Sequence, residues 1–264
     1  MTQTDTPKRI VVKVGTNVMT NRDNRIVGPI LKRLADQIAE LYERDIMTIL
    51  VSSGSVIAGK EVMEINIEEP TVRRQVLSAV GQPRMMRHYY SIFHDYGMRC
   101  AQVLATKRDF SPGKHRENMI NCYEGLLSQG VIPIANEDDA VSLSMSMFSD
   151  NDELASLVAE LLNADMLILL TDTDGIFTGH PEDDNSRLLK NVTTDQNVEK
   201  YIKESNKADG EGRGGMASKL NVAKATAAKN IPTFIANGKL ERVIIDLVDG
   251  KEIGTRITAP EEES

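Results

Sequence analysis

A chain of 264 residues has room for one large domain or two small ones. With 41% hydrophobic residues it can bury a core, but 4% aromatics and no Trp leave that core to aliphatic side chains. Its formal net charge of -8 lacks the basic footprint that nucleic acid demands, so any phosphate site must rest on a few placed lysines and backbone N–H groups.

The pattern alternates strand and helix. Ile10–Val14 is a short β-branched run that ends at Gly15. Ile30, Leu31, Leu34, Ile38, Leu41 and Tyr42 recur at helical spacing. Ile46–Val51 is strand-like and stops at Ser52-Ser53-Gly54. A long helix covers Thr71 to Asp95, with Pro83 a candidate break. Then come a strand at Met98–Leu104, a helix at Glu117–Ser128, a strand at Val131–Ala135, a helix at Asp152–Asn163 and a strand at Met166–Leu170. The polar stretch from His180 to Gly215 reads as a surface insertion with one helix near Val192–Lys203. A helix at Met216–Lys229 and a strand at Thr233–Ala236 follow, and the acidic tail Ala259–Ser264 reads as frayed. Apolar strands with helices between them predict a mostly parallel sheet covered on both faces. The expected fold is a three-layer α/β/α sandwich with an open central sheet, one domain over residues 1–264.

Cys100 and Cys122 make no C-x-x-C pair and are too few for a disulfide framework, so they read as two buried, reduced thiols of a cytoplasmic protein. Met1 to Lys8 has no apolar signal core, and the longest aliphatic run, Met166 to Leu170, is too short to span a bilayer.

Ligands of open α/β sheets bind beyond the carboxyl ends of the strands. Polar, turn-forming residues follow four of the predicted strands: Gly15-Thr16-Asn17 with Lys13 just before, Ser52-Ser53-Gly54-Ser55, Asn136-Glu137-Asp138-Asp139, and Thr171-Asp172-Thr173-Asp174-Gly175. One such loop is ordinary turn chemistry; four on one edge suggest a site. Two nearby motifs fail in detail. Gly54–Glu61 reads G-x-x-x-x-G-K-E, with Glu61 where a P-loop needs a hydroxyl on Mg²⁺. Gly210, Gly212 and Gly215 spell G-x-G-x-x-G without the preceding strand of a dinucleotide site. They read instead as a glycine loop feeding a helix whose N-terminus can cradle phosphate, with Lys219 about one turn inside. Phosphoryl transfer needs charge neutralisation and positioning. Lys13 and Lys219 can supply the charge, and Asp152 can hold both ammonium groups. The same stretch has a plainer reading, in which Asp150 or Asn151 only caps the following helix.

An ordered set of blocks resembles the amino acid kinase superfamily and, within it, the glutamate 5-kinase family. The blocks are Val11–Thr16, Val51–Gly59, Ala79–Gln82, Gln102–Leu104, Ile132–Val141, Asp150–Asp152, Leu169–Thr178 and Gly214–Lys219, and the similarity runs from about Lys8 to Thr258. The resemblance implies transfer of the γ-phosphoryl group of ATP to the γ-carboxylate of L-glutamate, with Mg²⁺. It implies that Lys13 and Lys219 stabilise the moving group and that Asp152 organises them. Ser53, Asn136, Asp139, Asp150 and Asn151 correspond to the glutamate pocket, with Asp139 among the acceptors for the ammonium group. Gly15, Thr171, Asp172 and the loop Arg213, Gly214, Gly215, Met216, Ala217, Ser218 and Lys219 correspond to the ATP side. Feedback inhibition by L-proline and a homo-oligomer, dimer or tetramer, are also family expectations. Many bacterial relatives carry an added C-terminal RNA-binding-like domain; with the chain ending at Ser264, a short form without it is expected. Ser149, Asp138 and Arg213 depart from the usual pattern, where glycine, asparagine and a small residue are common. Kinases of the superfamily acting on N-acetylglutamate, aspartate, carbamate, uridylate or isopentenyl phosphate are the nearest alternatives. A catalytically dead amino-acid-binding relative is another, but it would be expected to lack Lys13, Lys219 or Asp152. None of His88, His94, His115 and His180 is assigned to catalysis.

Overall fold

A computed structural model describes residues 6–23, 25–141, 148–205 and 215–260. Elements run β1 (Arg9–Val14), α1 (Thr16–Met19), α2 (Gly28–Glu43), β2 (Met47–Ser52), α3 (Ser55–Val62), α4 (Pro70–Asp95), β3 (Arg99–Ala105), α5 (Lys114–Ser128) and β4 (Val131–Glu137). They continue with α6 (Asn151–Leu161), β5 (Met166–Thr171), β6 (Asn191–Thr193), α7 (Glu199–Ser205), α8 (Met216–Ala227), β7 (Thr233–Asn237), α9 (Val243–Val248) and β8 (Thr255–Thr258). The strands form one eight-stranded sheet in the order β3-β4-β2-β1-β5-β7-β8-β6. Every pairing is parallel except β7 with β8.

Alternation along the strands sorts side chains into two cores. Ile10, Val12 and Val14 of β1 join one cluster, covered by α2, α4 and α9. Val11 joins the other, covered by α5, α6 and α8. Lys13, two residues after Val11, therefore projects toward α6 and α8 from the carboxyl end of β1. After β1 the chain builds β2, β3 and β4 to one side, then β5 and β7 to the other. The strand order thus reverses beside β1, where doubly wound sheets hold their ligands.

Several elements differ from expectation. α4 runs unbroken through Pro83. Pro83 and Ala79, whose carbonyl loses its helical donor, both lie on the exposed face, so water can replace the missing bond. The expected helix at Val192–Lys203 splits into strand β6 and helix α7; only Val198 and Ile202 share the helical spacing there. The short elements β8, α3 and α9 were not expected at all. β8 pairs with β7 and alternates buried Thr255, exposed Arg256 and buried Ile257. The two thiols expected to be buried are not: Cys100 is half-buried, and Cys122, on the outer face of α5, is exposed.

α3 and α4 cross with backbones in contact. A Cβ on Gly81 would lie 1.7 Å from the carbonyl oxygen of Ser55, and one on Gly59 2.0 Å from that of Leu77. Gly59 of the G-x-x-x-x-G-K-E motif therefore serves helix packing rather than phosphate binding. Lys60 is exposed. Among the described residues, no helix is long and apolar enough to cross a membrane.

Candidate active site

A cleft of about 440 Å³ opens at the carboxyl ends of β1, β2, β4 and β5. At its base two lysines share one aspartate. Lys13 Nζ lies 2.7 Å from Asp152 Oδ1, and Lys219 Nζ lies 2.6 Å from Asp152 Oδ2. Asp152 is fully buried, and Lys13 and Lys219 are 5% and 8% exposed. Three elements fix this geometry: the end of β1, the first turn of α6, and the first turn of α8, where the Lys219 N–H donates to the Gly215 carbonyl.

The charges respond to this burial. Desolvation holds the Lys13 pKa below its ordinary value; the Lys219 ammonium pushes the same way, and Asp152 only partly offsets them. Desolvation also opposes ionisation of Asp152, but its two ammonium partners together outweigh that and hold the carboxyl below its usual range. Two ammonium side chains thus share one buried carboxylate at the base of the cleft.

Capping and the lysine contacts fall to different residues at the start of α6. Asp150 is the N-cap of α6, with its Oδ1 accepting from the N–H groups of Asp152 and Glu153. Its other oxygen accepts from Ser218 Oγ at 2.8 Å, tying α6 to α8. Asn151 Nδ2 donates to the Ser52 carbonyl, Ser53 Oγ and Asn136 Oδ1 at 2.8–3.0 Å. That amide ties together the ends of β2, β4 and α6.

Asp139 lines the cleft with its two oxygens already engaged: Oδ1 accepts from Arg74 Nε at 2.8 Å and Oδ2 from Ser78 Oγ at 2.7 Å. Ser78 Oγ also lies 3.0 Å from Ser55 Oγ. A carboxylate has about four acceptor positions, so room remains for a ligand donor. Arg74, Ser78 and Ser55 were not predicted from sequence. Ser55 sits inside a motif block, but Arg74 and Ser78 sit on α4, where helical periodicity alone marks no function.

Gly15, Thr171 and Asp172 border the other end of the cleft, with Gly215 and Met216 at the start of α8. A Cβ on Gly15 would come within 3.2 Å of the Leu170 carbonyl and 3.6 Å of Lys13 Nζ. Glycine here keeps the backbone path beside the lysine clear. Asp172 accepts from Asn17 Nδ2 at 3.2 Å. Phe177, His180 and Ile202 extend this wall, and sequence reasoning had not selected them. Arg213 and Gly214 lie outside the described residues, as do Gly210 and Gly212; Ala217 is not among the lining residues. Of the predicted residues described, Lys13, Gly15, Ser53, Asn136, Asp139, Asp150, Asn151, Thr171, Asp172, Gly215, Met216 and Lys219 line this one cleft. Asp152 and Ser218 support it from behind.

Comparison with known proteins gives consistent results. Residues 8–237 match the model of the amino acid kinase family. A glutamate 5-kinase of Bacteroides thetaiotaomicron is 40% identical over 241 residues, 91% of this chain and 66% of its own length. A glutamate 5-kinase of Alkaliphilus metalliredigens is 37% identical over 252 residues, 94% of each chain. The chain thus spans about two thirds of the first relative and nearly all of the second. An isopentenyl phosphate kinase of T. acidophilum superposes with a TM-score of 0.66 at 17% identity, over 94% of this chain and 99% of its own. At that identity the superposition speaks to fold alone.

Proposed function

The chain belongs to the amino acid kinase family, and we propose that it transfers the γ-phosphoryl group of ATP to the γ-carboxylate of L-glutamate, giving L-glutamyl 5-phosphate and ADP. That reaction is the first step of proline biosynthesis. The observation that carries the proposal is the buried Lys13–Asp152–Lys219 unit at the base of the cleft.

The transferring phosphoryl group spreads negative charge over its oxygens, and catalysis consists of neutralising that charge and holding donor and acceptor in line. Lys13 and Lys219 supply the positive charge from two sides. Asp152 keeps both side chains aimed before the phosphate arrives, so little reorganisation is needed in the transition state. The γ-carboxylate of glutamate is ionised at neutral pH and is itself the nucleophile, so no general base is required. In this reading Ser53, Asn136, Asp139, Asp150 and Asn151 surround the acceptor. Gly15, Thr171, Asp172 and the start of α8 receive the nucleotide, and Arg213 to Ser218 belong to the same loop by family resemblance. Among the described residues, no three His, Cys, Asp or Glu side chains are set to hold a metal ion. Mg²⁺ would enter with ATP, held mainly by phosphate oxygens and water, and would help neutralise the charge on the moving group.

A cytoplasmic homo-oligomer, dimer or tetramer, inhibited by L-proline is part of the same proposal and rests on the family resemblance. An ADP-release assay over glutamate, N-acetylglutamate, aspartate, carbamate and uridylate tests the reaction. Glutamate should give the highest kcat/KM. A higher value for another acceptor overturns the substrate, and no ADP release with any of them favours a catalytically dead binding protein.

A further inference from the structure

We infer that Arg74 of α4 binds the α-carboxylate of the acceptor and so sets the demand for a free α-carboxylate. The inference rests on glutamate being the acceptor. Free glutamate brings two carboxylates and one ammonium group. Its γ-carboxylate must sit at the phosphoryl group, beside Lys13 and Lys219. The α-carboxylate then needs a cation of its own, and Lys13, Lys219, Arg74 and His180 are the only basic side chains among the described residues lining the cleft. Lys13 and Lys219 hold Asp152, and His180 belongs to the segment that follows β5, which β1 and β2 separate from β4 in the sheet. Arg74 instead contacts Asp139 and Glu137, which follow or end β4 next to Asn136.

The shape of the guanidinium strengthens this assignment. Arg74 uses its side-on edge for the protein: Nε donates to Asp139 Oδ1 at 2.8 Å, and Nη2 lies 3.3 Å from Glu137 Oε2. Nη1 makes no hydrogen bond among the described residues, and the side chain is 35% exposed where it lines the cleft. The end-on edge, Nη1 with the second proton of Nη2, therefore retains two donors in the parallel fork that a carboxylate accepts. Asp139, which holds Arg74 in place, also lines the cleft and keeps acceptor positions for the substrate's ammonium group. One cluster thus offers a cation and anions side by side, matching the head of an α-amino acid.

The test compares glutamate with isoglutamine, whose α-carboxylate is an amide and whose γ-carboxylate is intact. The wild-type enzyme should prefer glutamate by about 30-fold or more in kcat/KM, as a charge-assisted paired contact implies. In Arg74→Gln both acceptors should lose from the loosened Asp139, but glutamate should lose most of that factor in addition through KM, so that the preference collapses to within about threefold. Arg74→Lys keeps the charge without the fork and should fall between. A preference that survives in Arg74→Gln, or a parallel fall for both acceptors, reduces Arg74 to a brace for Asp139 and overturns the inference. If the variants do not fold, the wild-type protein alone decides: a preference below about tenfold overturns it, and one above that sustains it. Failure of the function reading looks different, because the wild-type protein would then release no ADP with glutamate.

Discussion

Asp152→Asn probes the lysine pair directly, because the change keeps the shape of the side chain, removes its charge and turns one of its two acceptor oxygens into an NH2 donor facing an ammonium group. In the native protein each Asp152 oxygen faces one ammonium group, at 2.7 and 2.6 Å, and the carboxylate is fully buried. Removing one partner of a buried pair costs about 3–5 kcal/mol, because the charge left behind has neither water nor counter-ion. Two cations lose their partner here, so the upper part of that range is expected at neutral pH. The lysines can relieve the cost by shedding protons. Lys13 is already held below its ordinary pKa by burial and by Lys219, and the substitution lowers it further. A lysine whose folded-state pKa is depressed binds fewer protons folded than unfolded, so its penalty shrinks as pH rises toward the unfolded value of about 10.4. Urea unfolding should therefore show a large stability gap between wild type and variant at pH 7 that narrows toward about pH 10. The kcat should fall about 100- to 1000-fold, the scale for loss of a preorganised charge contact. Added ATP should raise the Tm of the variant more than that of the wild type, because its phosphates replace the missing anion. A gap that is small at pH 7, or constant across the range, would refute the claim that these lysines are desolvated around one carboxylate.

The depressed pKa of Lys13 also shapes the rate profile of the native enzyme. The alkaline limb of kcat/KM, which reports the free enzyme, should lie at lower pH than that of kcat, because bound phosphates restore the ammonium form; coincident limbs would count against a catalytic Lys13. Gly81→Ala forces a Cβ to within 1.7 Å of the Ser55 carbonyl and must push α3 away from α4. It should cost about 3 kcal/mol, or roughly 6–12 °C in Tm, by thermal melting. It should also raise the KM for glutamate, because the Ser55–Ser78–Asp139 chain crosses the same contact; a native Tm would show that the helices are not so closely packed. Lys60→Ala should leave kcat and KM within about twofold, since a change at an exposed site away from the cleft is close to neutral. A loss of turnover would revive the P-loop reading.

Long elements were legible in the sequence because their apolar spacing extends over many residues. β1, β2, β4 and β5 are short continuous apolar runs between turn residues, which is how strands buried on both faces read. β6 and β8 are three and four residues long, too short for alternation to register, and become strands only by pairing with each other and with β7. The loops after the strands were legible as a site because parallel strands place all their carboxyl ends on one edge. Arg74 and Ser78 were not, because nothing local distinguishes them from other polar positions of α4. Arg74 lines the cleft and Ser78 holds Asp139 from behind it, on a helix that Gly59 and Gly81 let approach α3 to backbone contact.

The first turn of α6 explains why capping and catalysis were hard to separate from sequence. Helix geometry turns the backbone about 100° per residue, so three consecutive polar residues point three ways. Asp150 turns back to cap the helix and to hold Ser218 of α8. Asn151 turns toward the ends of β2 and β4. Asp152 turns inward to both lysines. The cap thus fixes the start of the helix, and with it the direction in which Asp152 points. Removing the cap should therefore disturb the lysine pair, both by loosening the turn and by taking away a carboxylate that lines the cleft and favours charged Lys13: Asp150→Ala should cost about 1 kcal/mol of stability from the lost cap. Its kcat should nevertheless fall by clearly more than the roughly fivefold equivalent of that energy. A loss of stability with kcat unchanged would show that the cap and the lysine pair are independent.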